Sequence, residues 1–353
     1  MKKKIRFGVI GIKSMAALHI ASLVENPLTE LCAICDNHPE FFDTYIEKYG
    51  DLKTYTDYMD LYKDPDIDAV IVCTPDYLHE EMVVEGLKAG KHVLCEKPMA
   101  LTAEACANMV EAAKKYSPKM MVGQICRYTP GFKRAKELIE QGEIGELYAV
   151  ESEYAHDYKY GAKGVDNWRL DPNNPREGFI GGGCHAVDLL RWIAGNPTEV
   201  MAYSSNKCLP DWPVDDATFA IMKFPNDVIG KVYVSIGCKR EYTMRSVFSG
   251  TKGTIICTNT DNFLTIYKED VSELNSLYKN HLPEGHPNLA KIQLEIQLNN
   301  HNTSAEIDEF VDCIINDKPI RTTAEEGAST VAVCLAAVEA TKTGKITQVK
   351  YPK

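Results

Sequence analysis

The sequence lacks any apolar run long enough to cross a membrane. Its basic opening, Met1 to Lys4, leads into a short, glycine-containing apolar run, Ile5 to Ile12, with no small-residue cleavage site behind it. There is no internal repeat and no low-complexity linker. We therefore expect a chain that stays in the cytoplasm and binds no membrane.

An excess of positive charge is also missing. The 353 residues carry a formal net charge of -11, whereas a nucleic-acid partner requires a cationic face that displaces condensed counterions. No nucleic-acid partner is expected. A hydrophobic content of 44% allows a sizeable core, and a chain of this length favours two domains.

The twelve cysteines are scattered through predicted strands and helices and show no disulfide framework, so we interpret them as reduced core residues. Cys32 and Cys35 have the spacing of a chelate, but they lie in a predicted strand, where residues three apart point to opposite faces. His156, His185 and Asp188 have no helical or hairpin ligand spacing. No metal site is predicted.

The first third of the chain alternates short apolar runs with longer amphipathic ones, which is typical of βαβ units and a parallel sheet. The predicted strands are Ile5 to Ile10, Leu31 to Cys35, Ala69 to Cys73, His92 to Cys95 and Met120 to Val122. The predicted helices are Ala16 to Glu25, Pro39 to Tyr49, Leu78 to Ala89, closed by Gly90, and Thr102 to Tyr116.

The rhythm changes after Gly123, where alternating segments that look antiparallel begin. These segments are Leu147 to Tyr154, Ala217 to Phe224, Val228 to Ser235, Arg245 to Ser249 and Gly253 to Thr258, preceded by a helix at Phe132 to Glu140. Pro225 to Asp227 predicts a hairpin turn. Two late helices are predicted from capping boxes, Thr303 with Glu306 and Thr322 with Glu325.

The fold class that follows is α/β. Residues 1–123 are predicted to form a doubly wound parallel sheet of the Rossmann type. Residues 124–353 are predicted to form an α/β domain with a large, open, mostly antiparallel sheet.

A glycine turn joins the first strand to the first helix. Gly11 and Ala16 occupy the outer positions of a dinucleotide-binding fingerprint, but Lys13 occupies the middle one. Its side chain would push the backbone away from a pyrophosphate, although its ammonium could contact the phosphates directly. Cofactor contacts are predicted for Gly11, Ile12, Lys13, Ser14 and Met15, and an ordinary strand-to-helix turn remains open.

Asp36 follows the second strand at the distance where an acidic residue accepts hydrogen bonds from the adenosine ribose. Its charge would repel a 2′-phosphate, so NAD is predicted over NADP. NADP remains possible because the direction of Lys13 is open. A solvated loop aspartate or a helix cap before Pro39 is the alternative.

The segment His92 to Pro98 ends a strand in the charged pair Glu96 and Lys97, followed by a proline. Ligands of open α/β sheets bind outside the carboxyl ends of the strands, so Lys97 is predicted to project toward the ligand. Proline at this point also admits a cis peptide bond.

Over nearly its whole length the sequence resembles the glucose-fructose oxidoreductase, inositol dehydrogenase and rhizopine-catabolism (Gfo/Idh/MocA) family. The motifs that carry the resemblance are the glycine turn, Asp36, Asp68 to Thr74 with Pro75 and His79, Gly90 to Pro98, Arg127 with Pro130, Gly181 to Trp192, and Gly250 with Gly253. The resemblance implies an oxidoreductase that uses NAD(P) on a sugar, cyclitol or related polyol. It also implies a homodimer or homotetramer formed through the C-terminal sheet.

Carried over by position, Lys97 resembles the family's catalytic lysine and Glu96 a residue that places the nicotinamide riboside. Thr74, Pro75 and His79 fall where the family lines its cofactor site, although a lone histidine is often structural. His185 resembles the active-site histidine.

Hydride transfer requires a group that takes or gives the hydroxyl proton. Lysine is normally too basic for this, but partial burial and an oxidised nicotinamide both disfavour its ammonium form. His185 could orient the substrate oxygen or relay the proton. The family often has an aspartate four residues before this histidine, whereas this chain has Gly181. Lys97 and His185 therefore act alone, or Asp188 assists, or the substrate differs.

The segment from His156 to Arg176 is rich in aromatic and charged residues and is predicted to recognise the substrate. Tyr158 and Trp168 could stack on a sugar ring, and Arg127, Asp166 and Arg169 could hydrogen-bond its hydroxyls. A surface loop held by a few aromatic residues is an equal alternative.

Three functions remain open at this point. The first is reversible polyol oxidation. The second is a glycosidase that uses NAD as a transient hydride store, and the third is a catalytically silent NAD-binding regulator. The presence of both Lys97 and His185 argues against the regulator, because binding alone needs neither.

Overall fold

The computed structural model describes residues 4–161, 167–269 and 289–352. The chain divides into two compact units. The first comprises Met1–Ile125, Asn302–Val331 and Tyr351–Lys353, and the second comprises Cys126–His301 and Ala332–Lys350. The predicted α/β fold class is confirmed, with a parallel Rossmann sheet in the first unit and a mostly antiparallel sheet in the second.

The first unit contains a six-stranded sheet in which every pairing is parallel. Its strands are β1 (Ile5–Ile10), β2 (Thr29–Cys35), β3 (Lys53–Tyr55), β4 (Ala69–Val72), β5 (His92–Cys95) and β6 (Met120–Val122). They lie in the order β3-β2-β1-β4-β5-β6. The chain therefore reverses direction across the sheet between β1 and β4, the switch point at which open α/β sheets bind ligands.

The helices of the first unit follow the predicted pattern, with the short edge elements β3 and α3 added. They are α1 (Ala16–Glu25), α2 (Phe42–Tyr49), α3 (Tyr58–Lys63), α4 (His79–Lys88), α5 (Ala103–Lys115) and α10 (Thr303–Ile315). Gly90 follows α4 with a φ of 81°, as predicted for a helix terminus. The helix predicted from Pro39 begins as a 3-10 turn, Pro39–Phe41.

The second unit contains a nine-stranded sheet within the described ranges. Its strands are β7 (Leu147–Ala155), β8 (Glu199–Ser205), β9 (Ala217–Lys223), β10 (Ile229–Ser235), β11 (Thr243–Gly250), β12 (Gly253–Thr258), β13 (Phe263–Glu269), β14 (Leu289–Glu295) and β15 (Thr347–Gln348). The order is β14-β13-β12-β11-β7-β10-β9-β8-β15, and only the central β7–β10 pair is parallel. The predicted hairpin joins β9 to β10, with Asn226 and Asp227 both at a φ of 58°.

Helices cover one face of this sheet. The helices that pack against it are α6 (Pro130–Glu140), α8 (Gly178–Gly181) and α9 (Gly183–Ala194). The chain also contains α7 (Tyr158–Gly161) and α11 (Ala324–Thr343), of which α11 belongs to the first unit up to Val331. Alternate residues of β9 are buried and exposed, so the opposite face of these strands faces outward.

The predicted division at residue 123 needs correction, because two later segments, Asn302–Val331 and Tyr351–Lys353, belong to the first unit. Asn302–Val331 packs with the first unit, not with the C-terminal sheet. The reason is α10, where Phe310 lies 6.3 Å from Phe7 of β1 between ring centroids and Thr303 hydrogen-bonds Ser22 of α1 at 2.8 Å. Contacts distant in sequence thus return this helix to the Rossmann sheet.

Both predicted capping boxes are wrong by one residue. Asn302, not Thr303, caps α10 by accepting from the amide of Ala305. At α11 the hydroxyl of Thr323, not Thr322, accepts from the amide of Glu326. The side chain of Glu306 is therefore free of a capping role and lies buried.

All twelve cysteines are free. Eight are buried, as predicted for core residues, but Cys208 is exposed and Cys32, Cys73 and Cys238 are half-buried. Cys32 and Cys35 lie on β2, and Cys35 is buried while Cys32 is half-buried. Among the described residues no helix is long and apolar enough to cross a membrane.

Candidate functional site

The turn after β1 presses against the end of β4. Gly11 has a φ of 78°, and a Cβ atom added there would lie 2.9 Å from the carbonyl carbon of Cys73 and from the amide nitrogen of Thr74. Only glycine fits both this backbone conformation and this close approach. Gly11, a glycine of the dinucleotide-binding fingerprint, therefore lies at the switch point between β1 and β4.

Free backbone amides mark the start of α1. The helix has no side-chain cap, and the amides of Lys13, Ser14 and Met15 form no hydrogen bond within the described part of the chain. Ser14 adopts a positive φ of 52°. Amides at a helix N-terminus bind anions, so this turn fits the pyrophosphate of a dinucleotide.

Asp36 is held in place beside this turn. Its Oδ2 accepts from the amide of Ile12 at 3.0 Å, and its Oδ1 accepts from the amide of His38 at 3.0 Å. Each carboxylate oxygen keeps a second lone pair for a ribose hydroxyl. The ammonium of Lys13 lies 4.4 Å from the ring centroid of Phe41, on the segment that follows Asp36.

His79 joins two loops at the strand ends. It is fully buried, with its Nε2 3.0 Å from the carbonyl oxygen of Thr74 and its Nδ1 3.0 Å from the carbonyl oxygen of Pro98. Thr74 and Pro75 are half-buried beside it. The ring thus positions the loop that carries Lys97 relative to the loop after β4.

Glu96 and Lys97 follow β5, and the Lys97–Pro98 peptide bond is cis. The Glu96 carboxylate accepts from His19 Nε2 at 2.7 Å and from the Lys97 amide at 3.0 Å. Burial opposes the ionisation of Glu96, but the His19 hydrogen bond and the charge of Lys97 prevail and lower its pKa to about 2. Glu96 is therefore a buried anion, and half-buried Lys97 projects from the same strand end.

In the second unit, Arg127 and Asp188 bind each other. Arg127 donates from Nε and Nη2 to the two oxygens of Asp188, at 2.8 and 2.7 Å. Arg191 lies 3.8 Å from the same carboxylate, and Asp188 is only 1% exposed. The pair therefore ties the 3-10 turn Ile125–Tyr128 to α9, an arrangement that favours a supporting role over direct substrate contact.

His185 lies in the first turn of α9 and is 2% exposed. Its Nδ1 is 3.3 Å from the sulfur of Cys126, and its ring stacks on Tyr154 with centroids 5.8 Å apart. His301 approaches it edge-on at 6.5 Å, and Tyr242 stacks on His301 at 5.8 Å. Histidine and tyrosine rings thus surround His185.

Tyr154 is the centre of this group, and sequence reasoning missed it. Its hydroxyl lies 3.1 Å from His156 Nδ1 and 3.2 Å from the Tyr158 hydroxyl. Burial, with the neighbouring Tyr158 and Tyr242, raises the pKa of Tyr154 well above its ordinary value. It is therefore a neutral hydrogen-bonding group. Its position at the end of β7 was the available signal.

The three glycines before His185 allow close packing. A Cβ atom would lie 2.0 Å from Arg176 Nη1 at Gly181, 2.2 Å from Tyr154 Cε1 at Gly182, and 2.7 Å from Val234 Cγ2 at Gly183. Arg176 also donates to the carbonyl oxygen of Gly181 at 2.9 Å. A guanidinium therefore fills the space that a side chain at position 181 would take, and sequence analysis did not single out Arg176.

Three of the predicted recognition residues come together. The Arg169 guanidinium lies 4.6 Å from the ring of Trp168 and 6.0 Å from that of Tyr158. Tyr158 is 8% exposed, whereas Trp168 and Arg169 are half-buried. Asp166 lies outside the described residues. No group of three or more potential metal ligands occurs in the described ranges.

Comparison with known proteins agrees with these features. Residues 5–124 match the family described as an oxidoreductase family with an NAD-binding Rossmann fold. Residues 132–256 match the GFO/IDH/MocA C-terminal domain. The two matches cover the glycine turn, Asp36, Lys97 and His185.

Individual relatives are more distant. The uncharacterized oxidoreductase YrbE of Bacillus subtilis is 28% identical over 265 residues, which are 73% of this chain and 75% of that protein. The inositol 2-dehydrogenase of Salmonella paratyphi B is 28% identical over 253 residues, 70% of this chain and 72% of that protein. A levoglucosan dehydrogenase solved with NADH has the same fold, with a TM-score of 0.86, 24% identity, and coverage of 99% of this chain and 100% of that one.

Proposed function

From the premise that this chain belongs to the Gfo/Idh/MocA family of oxidoreductases, we propose that it transfers a hydride between NAD and a sugar, cyclitol or related polyol. Lys97 exchanges the hydroxyl proton, and His185 acts with it. The observation that carries this proposal is the position of Lys97. It follows β5 at the sheet edge where the Gly11 turn offers its free amides, next to the buried anion Glu96.

The amides of Lys13, Ser14 and Met15, with Asp36, would hold NAD, whose nicotinamide ring would supply the acceptor for the hydride of the carbinol carbon. The Lys97 amine takes the hydroxyl proton in the same event, so that the carbinol becomes a carbonyl and Lys97 an ammonium. Glu96 holds the backbone of this strand end through the Lys97 amide, and His79 holds the following loop through Pro98. The lysine is thereby positioned before the substrate arrives.

His185 and its aromatic neighbours form the proposed substrate side. Tyrosine and tryptophan rings present apolar faces to a sugar ring, and their polar tips can bond its hydroxyls. Support comes from Tyr154 and Tyr158, which bring two hydroxyls within 3.2 Å of each other. Trp168 and Arg169 form a half-buried edge of the same unit.

Asp36 supports a preference for NAD over NADP. The amides of Ile12 and His38 hold its carboxylate in place. If the carboxylate accepted from the adenosine ribose, its charge would repel a 2′-phosphate. We expect Asp36→Ala to narrow the NAD preference by tenfold or more, and Asp43→Ala, an exposed aspartate on α2, to leave it unchanged. NADP binding as tight as NAD in the wild type would contradict the ribose role.

The test of the reaction is a panel of inositols, hexoses and anhydrosugars with NAD and NADP, followed by NADH absorbance. Lys97→Met keeps the length of the side chain and removes the proton carrier, so turnover should fall by roughly 10²–10⁴-fold while NADH binding persists. Lys88→Met, an exposed lysine on α4, is the matched control. Undiminished hydride transfer in Lys97→Met would refute the proposal. Sugar cleavage without net NADH formation would point to the glycosidase.

The outer face of the second sheet supports a homodimer or homotetramer. Tyr203, Phe219, Ile221 and Ile229 are 71, 52, 64 and 60% exposed on neighbouring strands β8, β9 and β10. An apolar patch of this kind is typical of an interface. Ile221→Glu should lower the mass measured by light scattering, while Leu298→Glu, exposed outside these strands, should not. An unchanged mass in Ile221→Glu would refute this interface.

The proposed location is the cytoplasm. All twelve cysteines are free, and a reducing compartment preserves thiols in this state.

A further inference from the structure

Glu306 of α10 is a buried acidic residue to which the proposed function assigns no role. It is fully buried, and neither carboxyl oxygen has a hydrogen-bond partner among the described residues. A Cβ atom added to Gly123 would lie 3.6 Å from Glu306 Oε1 and 3.6 Å from the Cα atom of Glu96. The carboxyl therefore lies against the backbone of Gly123, where β6 ends, on the side that also faces the backbone of Glu96.

Two carboxyls thus share one buried region. Glu96 has two hydrogen-bond donors, His19 and the Lys97 amide, and carries its negative charge there. Glu306 has none. A second negative charge without donors in a region of low dielectric costs several kcal/mol, so such a pair retains one proton between its members.

We propose that Glu306 is held as a neutral carboxylic acid and is a positioning residue for Lys97, since it leaves Glu96 as the single negative charge at this strand end. The effect on Lys97 rests on the proposed function, whereas the protonation of Glu306 does not depend on it. If Glu306 ionised, the extra charge would favour the ammonium form of Lys97 and oppose its use as a base.

The surrounding groups agree with this assignment. Burial and the charge of Glu96 raise the pKa of Glu306 well above its ordinary value, and the charge of Lys97 opposes this only in part. Burial, with the charge of Glu96, raises the pKa of the Cys73 thiol after β4, so this thiol is neutral too. His19 on α1 is bonded to Glu96. None of these groups supplies Glu306 with a donor.

The direct test is infrared spectroscopy of the whole protein at pH 7. The difference between wild type and Glu306→Gln should show loss of one protonated carboxylic-acid carbonyl band. The control Asp308→Asn removes an exposed carboxyl from the same helix and should show loss of carboxylate bands only. Loss of carboxylate bands in Glu306→Gln would overturn the proposal.

Protection from hydrogen exchange in peptides of β5 and α10 gives a second test that requires no substrate. Because the pKa of Glu306 is raised in the folded protein, its contribution to folding stability is fully present below the pKa of the unfolded chain, near 4.5. This contribution is lost as pH rises toward the pKa of the folded protein. Relative to Glu306→Gln, the wild-type opening constant should therefore rise about tenfold per pH unit above this point. A ratio independent of pH, or a Gln variant that is less protected at pH 8, would overturn the proposal.

The effect on Lys97 is tested by the pH profile of NADH-linked turnover. Glu306→Gln should retain activity at neutral pH. It should also lose less activity than the wild type as pH rises, because the variant has no Glu306 carboxyl that could ionise beside Lys97. If Glu306→Gln lost the carboxylic-acid band but kept the wild-type pH profile of turnover, the positioning role would be overturned. Absence of turnover with every substrate would refute the proposed function, while the infrared result would still decide the proton on Glu306.

Discussion

The buried anion Glu96 allows a prediction whose size can be worked out from the structure. Its pKa lies at about 2, against an ordinary value of 4.5. A difference of this size corresponds to about 3 kcal/mol of folding stability. Because the native pKa is lowered, this contribution is present above pH 4.5 and is lost as pH falls toward 2.

Glu96→Gln keeps the shape of the side chain and removes its charge. We expect the first unit to lose about 3 kcal/mol of stability at pH 7 and almost nothing near pH 2. The physical reason is that the His19 hydrogen bond and the charge of Lys97 stabilise the ionised form more than the neutral one. The exposed Glu104 on α5 is the matched control, and Glu104→Gln should change stability by less than about 0.5 kcal/mol.

The assay must report on the first unit. Trp168, Trp192 and Trp212 all lie in the second unit, so intrinsic fluorescence follows the wrong part of the chain. Hydrogen exchange of peptides from α1 and β5 in increasing urea resolves the first unit. An equal loss at pH 7 and near pH 2, or no loss at pH 7, would refute the reasoning.

Two further predictions concern the second unit. Asp188→Ala removes the buried anion that Arg127 and Arg191 share and should lower stability by about 3–5 kcal/mol. The loss should appear as a lower urea midpoint in the fluorescence of Trp192, which lies beside Arg127. The double variant Arg127→Met, Asp188→Leu should recover most of this stability, and no recovery would contradict the pairing. Gly182→Ala places a methyl group 2.2 Å from Tyr154 Cε1 and should cost about 1–3 kcal/mol by overpacking, so an unchanged midpoint would show that Tyr154 can move freely.

Much of the first unit could be predicted because its signals are local. The β1, β5 and β6 boundaries and those of α1 match the predicted ones, since each is a continuous apolar or periodic run ending in a turn residue. The short edge elements β3 and α3 were missed because a three-residue strand has too few positions to show a period.

In the candidate site, too, some residues could be predicted from local sequence signals and others could not. Residues that follow strands, such as Asp36 and Lys97, could be nominated because chain order places them at the sheet edge. Tyr154 also ends a strand but was missed, because its importance depends on His185 and Tyr242, which are distant in sequence. Glu306 could not be nominated, because its neighbour Glu96 is distant in sequence. Glu306 was instead interpreted as part of a helix cap, whereas the cap is one residue earlier.

The sequence by itself therefore determined the strand and helix pattern, the glycine turn and the strand-end residues, since these depend on period and on neighbours along the chain. Only the tertiary structure decided which polar side chains bind each other, as Arg127 and Asp188 do. It also decided which have no hydrogen-bond partner among the described residues, as is the case for Glu306. The close packing around Gly181, Gly182 and Gly183, which leaves no room for side chains, was also visible only in the tertiary structure. Burial and pairing are properties of what packs nearby, and the residues that pack around these sites come from distant parts of the chain.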